Sequence, residues 1–199
     1  MTPLRRPGRA WCAVALLLAL GVVLAQGRPH EAIDWQPGLV ASQPWRAFSA
    51  AFVHFSALHL AGNAVGLALA AALGAAARAP PRLALAWLAA WPLTQLGLLV
   101  QPQLAHYGGM SGVVHASVAI VCVHLLFAGH RWLGGAMLAG ELLKVLSEAP
   151  WGAALRHEPG WDIAIAPLAH ASGLVAGVAC ALLAEGGAGW RRRRSTATE

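Results

Sequence analysis

Long apolar runs broken by short polar links dominate the chain. Six segments, near 11–26, 55–77, 83–101, 111–128, 132–149 and 164–184, are apolar over lengths close to the ~20 residues that carry a helix through a bilayer core. Lipid offers no partner to an open backbone group, so each crossing segment is expected to be helical. The stretch 27–54 breaks the pattern. It is polar, holds Pro29, Pro37 and Pro44, and is too long for a simple helix connection. It is expected to lie on or in the outer leaflet with Trp35 and Trp45 at headgroup depth. A second outer loop, 150–163, holds Trp151 and Trp161. No internal repeat is visible. The expected fold is an all-α polytopic membrane protein, a single domain over 1–199, with 27–54 as outer loop and 186–199 as a basic cytoplasmic tail.

Composition supports a bilayer as solvent. Of 199 residues 58% are hydrophobic and 11% charged, and the mean hydropathy is +0.58. Soluble domains carry about 25% charged residues. The basic residues fall mostly on one side of the segments: Arg5, Arg6, Arg9, Arg78, Arg82, Arg131 and Arg191–Arg194. The other side has Arg28, Arg46 and Arg156, offset by Glu31, Asp34, Glu158 and Asp162. Positive charge stays inside, which puts both termini in the cytoplasm. The net charge of +6 is thus a topology signal and no sign of nucleic-acid binding. Arg191–Arg194 suits anionic lipid. The first segment also has the form of a cleavable signal peptide, and cleavage would leave the orientation of the rest unchanged. Cys12, Cys122 and Cys180 lie far apart in apolar runs and form no metal or disulfide pattern.

Polar side chains inside spans are costly and ask for a reason. His59 and Asn63 are four residues apart, on one helix face. Ser111 opens the fourth segment amid Gly108, Gly109 and Gly112, with His115 one turn deeper. The sixth segment carries His170, and Gly173 and Gly177 share its stripe. Small residues at that spacing let membrane helices approach closely, which would bring His170 to Ser111. A weak hydroxyl beside a base is the requirement of nucleophilic catalysis. His59, Asn63 and the Ser111 N–H then supply donors for a developing oxyanion. Each feature alone has a plain alternative. Ser111 is also a good helix N-cap, His170 also a packing histidine, and His59 with Asn63 also an interhelical hydrogen-bonding pair. Their convergence from three helices favours catalysis.

These residues also carry a resemblance. Trp45-Arg46, HFSALHLAGN at 54–63, GGMSG at 108–112 and AHASGLVAG at 169–177 resemble four signatures of the rhomboid intramembrane serine proteases, in order. The resemblance implies a six-transmembrane-helix bundle. It makes Ser111 the nucleophile and His170 the base of a dyad without an acidic third member, with His59 and Asn63 at the oxyanion. Rhomboids commonly have tyrosine four residues after the serine; this chain has His115. The pattern SGVVHA, with GELLKVLSE at 140–148, is similar to the rhombosortase branch instead. That branch implies a bacterial inner-membrane enzyme and a membrane-anchored substrate with a C-terminal Gly-Gly motif, one helix and a basic end. Water or an acceptor amine would resolve the acyl-enzyme. His115 either orients His170 or is a neutral packing residue. Glu141, Lys144 and Glu148 share one helix face and either pair with one another or face the substrate. The reaction calls for no metal or cofactor. The rivals are a general rhomboid with broader substrates, a non-catalytic helix-binding pseudoprotease and a small transporter.

Overall fold

The computed structural model describes residues 7–196. Long helices form the body: α1 (Arg9–Ala25), α4 (Ala57–Ala76), α5 (Pro81–Leu96), α6 (Ser111–Phe127), α7 (Arg131–Ser147) and α8 (Pro167–Thr196). The short helices α2 (His30–Ile33) and α3 (Arg46–Ser49) lie between α1 and α4. Several long helices begin or end on a local signal. Ser56 caps α4 by accepting from the His59 N–H at 3.0 Å. Pro81 opens α5 at a position whose N–H has no helical partner in any case. Gly129, at φ +92°, turns the chain between α6 and α7.

Helix α6 is the centre of the bundle and packs on α8, α5, α7 and α4. Val113, Ala116, Ser117, Ala119, Ile120, Val121 and Cys122 along it are fully buried. The α6–α8 contact depends on glycine. A Cβ on Gly173 would overlap the Gly112 carbonyl, and one on Gly177 would overlap the Ala116 carbonyl. The stripe expected beside His170 is therefore the seam where two backbones meet. Helix α1 is fastened by Trp11, which stacks on Trp87 at 4.5 Å and donates from Nε1 to the Ala70 carbonyl at 2.9 Å. Gly74 leaves the space for its ring. Outward, Leu16, Val23, Val65, Leu69, Leu85, Val100, Leu143, Val175 and Leu183 are exposed. An apolar belt of that extent is suited to lipid and not to water.

Among the described residues three helices are long and apolar enough to cross a membrane by themselves: Ala57–Ala76, Pro81–Val100 and Pro167–Ala188. The second continues α5 through a 3-10 turn at Gly97–Val100. Helices α1, α6 and α7 have 17 residues each. They reach about 25 Å, short of a ~30 Å hydrocarbon core. The sequence pattern pointed to six spans; three of them fall below the length expected of a lone crossing helix. Arg5 and Arg6 lie outside the described residues, and the proposed basic tail continues α8 as far as Thr196.

The long loops hold more structure than their sequence suggests. Residues 27–54 form a folded unit with two short helices and two 3-10 turns. Trp35, expected at headgroup depth, is completely buried, whereas Trp45 is exposed. Arg46 explains the difference. Its guanidinium is buried and reaches the Asp34 carboxylate at 3.1 Å and the Asp34 and Glu31 carbonyls at 2.8 and 3.0 Å. Asp34 also meets His106 Nδ1 at 2.7 Å. A buried charge needs such partners. This clamp fixes Trp35, whose backbone pairs antiparallel with Tyr107 at 2.7 and 3.0 Å. The loop at 150–163 contributes β1 (Arg156–His157), which pairs with β2 (Ala164–Ile165) in a short hairpin; the segment expected to be apolar helix from 164 thus begins as strand, and α8 starts at Pro167.

Candidate active site

The loop before α6 is held from three directions. Tyr107 is pinned to Trp35, the Gly109 N–H donates to the Ala50 carbonyl at 2.9 Å, and Gly108 lies against Val53. Gly109, at φ +140°, takes a backbone conformation that other residues rarely adopt. A Cβ there would also press on His59 Nε2 at 2.9 Å. The chain then enters α6 at Ser111. The first N–H groups of a helix have no intrahelical partner and carry its positive dipole end. Ser111 therefore sits where negative charge is favoured.

A cavity of about 560 Å3 opens at this point. Ser111, His170, His59 and Asn63 all line it, together with His115, Lys144 and Glu148. Glu141 does not line it and lies behind His115, buried. Trp161 covers one flank, its ring edge 2.6 Å from where a Gly62 Cβ would be. Ser56 Oγ donates to Asp162 at 2.7 Å and ties the same loop to the start of α4. Tyr107, buried in the cavity wall, was not singled out from sequence. Burial pushes its phenol up to about 12, so it stays protonated and donates to the Gly109 carbonyl at 3.3 Å.

Ser111 Oγ and His170 Nε2 are 2.9 Å apart, and His170 is buried. This is the separation at which an imidazole lone pair can take a hydroxyl proton. The opposite ring nitrogen of His170 faces two groups, Glu148 Oε2 at 2.6 Å and Lys144 Nζ at 3.2 Å. The shorter of the two contacts sets the proton assignment. His170 carries its proton on Nδ1 and donates to Glu148. Lys144 donates to the other Glu148 oxygen at 2.8 Å and to His115 Nε2 at 3.0 Å. His115 donates from Nδ1 to Glu141 at 3.2 Å. With the proton on Nε2 instead, the Nδ1 lone pair could accept from Lys144 at 3.2 Å but would face a carboxylate at 2.6 Å, the closer contact.

His115 and His170 lie ring to ring, with centroids 4.6 Å apart and planes 40° apart. They share no direct hydrogen bond; Lys144 donates to His115, and the link to His170 runs through Glu148. Of the face formed by Glu141, Lys144 and Glu148, Lys144 pairs with Glu148 while Glu141 turns to His115. The Glu141 Oε2 atom has no partner among the described residues.

His59 has a defined tautomer too. Its Nδ1 accepts from the Phe55 N–H at 3.4 Å, which leaves Nε2 as the N–H, on the side of Gly109. Asn63 donates one amide hydrogen to the His59 carbonyl at 3.0 Å. Its second amide hydrogen has room toward the cavity. His54 packs on His59 at 5.0 Å, and burial lowers its pKa below the ordinary histidine value. The site thus joins a hydroxyl, a neutral imidazole and N–H donors in one pocket. That set is sufficient for acyl transfer without a cofactor.

A comparison with curated proteins found no match. A family model described as the rhomboid domain matches residues 41–185. The matched span takes in Arg46, the glycine loop, the cavity and the α6–α8 seam, and leaves out all of α1 and the Asp34 partner of Arg46. With most of its length matched and an apolar multi-helix body, this multi-pass integral membrane protein belongs to the rhomboid family, whose members are intramembrane serine proteases acting on membrane proteins.

Proposed function

We propose that this chain is an intramembrane serine endopeptidase that trims C-terminal Gly-Gly-type sorting tails from exported proteins. The observation that carries the catalytic part is the 2.9 Å contact between Ser111 Oγ and His170 Nε2 inside a cavity that His59 and Asn63 also line. Ser111 attacks the substrate carbonyl as His170 takes its proton. The His59 Nε2–H, the free Asn63 amide hydrogen and the Ser111 N–H hold the oxyanion. His170 then returns its proton to the leaving amine. Water, or an acceptor amine, attacks the acyl-enzyme with His170 again as base.

The helices α1, α4, α5, α6, α7 and α8 are proposed as the six spans, with both termini in the cytoplasm of a bacterial inner membrane. The shortness of α6 suits this reading. A helix that starts below the membrane surface leaves irregular backbone at depth, which is tolerated where it lines a wet cavity. The substrate proposal rests on His115 at the position where tyrosine is common, and on its neighbours from GELLKVLSE. Helical peptide bonds are shielded from attack. A Gly-Gly pair lowers the cost of unwinding the tail at the pocket.

The test is co-expression of the full-length protein with a reporter ending in Gly-Gly, one apolar helix and a basic end. Mass spectrometry should find the tail cut near the glycines with wild type and intact with Ser111→Ala. A reporter whose glycines are replaced by leucine should remain whole. Equal cutting of both reporters would leave a protease of broader specificity. No Ser111-dependent cutting of any helix in a panel would remove the proteolytic reading.

A further inference from the structure

We propose that Glu148 is the positioning residue for His170, so that this enzyme works with a Ser111–His170–Glu148 triad. The family resemblance implies a dyad with no acidic member, and residues 140–148 pointed only to mutual pairing or to the substrate. The geometry points elsewhere. The Glu148–His170 separation of 2.6 Å is shorter than that from Ser111 to the same ring, and only 12% of the Glu148 side chain is exposed. The proposal rests on the serine-protease reading and deepens it.

The placement of Glu148 follows from chain geometry. Helix α7 ends at Ser147, and Glu148 is the residue just beyond it. Ala149 takes φ +51° and turns the chain away. The side chain is thereby aimed back over the last turn of α7 toward α8. Lys144, one turn earlier, fixes the carboxylate by donating to Oε1, which leaves Oε2 for His170. Lys144 is itself held by His115 on α6. Three helices thus fix the orientation of one carboxylate. A plain i, i+4 surface pair would not direct its second oxygen at a buried imidazole nitrogen.

The chemical consequence is twofold. A carboxylate on Nδ1–H fixes the tautomer, leaving the Nε2 lone pair on Ser111. It also stabilises the imidazolium formed when the serine proton moves from Oγ to Nε2. The carboxylate keeps its charge throughout and takes no proton. Lys144 has the opposite sign toward that imidazolium. Its role is to hold Glu148 in place, and the carboxylate lies closer to the ring than the ammonium does.

The test uses the full-length protein in detergent micelles and a fluorophosphonate probe that phosphonylates an activated serine. Glu148→Gln should lower the maximal labelling rate of Ser111 by on the order of 100-fold or more, with probe affinity changed by less than about twofold. Glu148→Asp keeps the charge and should recover part of that rate. Histidine 15N NMR of the wild-type protein, assigned with His170→Asn, should show the His170 proton on Nδ1; that result does not depend on any Glu148 variant folding. A wild-type labelling rate per folded molecule in Glu148→Gln, or a His170 proton on Nε2, would overturn the triad and leave the Ser–His reading intact. Failure of wild type to label at Ser111 would instead overturn the protease reading, and the triad with it.

Discussion

Two part-buried histidine–carboxylate pairs lie beside α8, one reaching it from the end of α7 and one from α6, and only one of them faces a nucleophile. In the outer pair, His170 meets Glu148 at 2.6 Å and turns its other nitrogen to Ser111 across the cavity wall. In the inner pair, His124 meets Glu185 at 2.8 Å. Arg82 closes the inner site with a two-pronged contact to the same carboxylate at 2.9 and 3.0 Å. His124 lies thirteen residues after Ser111 on α6, about 20 Å along the helix. The two pairs share their chemical groups and differ in surroundings. The inner carboxylate is neutralised by a guanidinium and ties the start of α5 and the last turn of α6 to α8. The outer one is held by a single lysine and spends its second oxygen on an imidazole with a free lone pair. A histidine–carboxylate pair becomes a base only where the far nitrogen meets a reactive group with room for a substrate.

This contrast can be broken or sharpened by substitution. The largest expected effect is on the base. His170→Ala should lower reporter cleavage by about 10⁴-fold or more, and His124→Ala should leave cleavage per folded molecule within a factor of about three if its role is to brace the bundle. Equal losses would erase the distinction. Next comes the oxyanion side, which has no inner counterpart. Asn63→Ala should slow cleavage by about 10²–10³-fold, the loss typical of one oxyanion donor, with little change in thermal midpoint. The smallest effect is on stability. Glu185→Gln leaves Arg82 and His124 without their carboxylate and should cost about 1–3 kcal/mol, discounted because the Arg82 side chain is 31% exposed. Thermal unfolding in detergent would read that loss, and labelling of Ser111 per folded molecule should be unchanged.

The legible and illegible parts of the molecule divide along physical lines. The approach of His170 to Ser111 could be read because both stand in small-residue contexts, and Gly173 and Gly177 mark the face that must touch α6. His59 and Asn63 were readable from a four-residue spacing that needs only a helix. Glu148 was visible as a charge, yet its partner depends on where α7 stops and how Ala149 turns. Spacing along a single helix carries no information of that kind. The Asp34–Arg46 clamp joins residues twelve apart across irregular chain, so no period announces it. Trp35 shows the cost of reasoning from residue type: a tryptophan in an outer loop suggests headgroups, but here the clamp draws it into the core. The hairpin at Arg156–His157 and Ala164–Ile165 is too short to leave an alternating pattern.

The most direct test of the central claim is peptide mapping after fluorophosphonate treatment of the intact membrane protein. The account predicts one modified residue, Ser111, in wild type, and its disappearance in His170→Ala while the protein remains folded. Labelling of Ser111 that persists at the wild-type rate without His170, or an adduct on another side chain in place of Ser111, would contradict it.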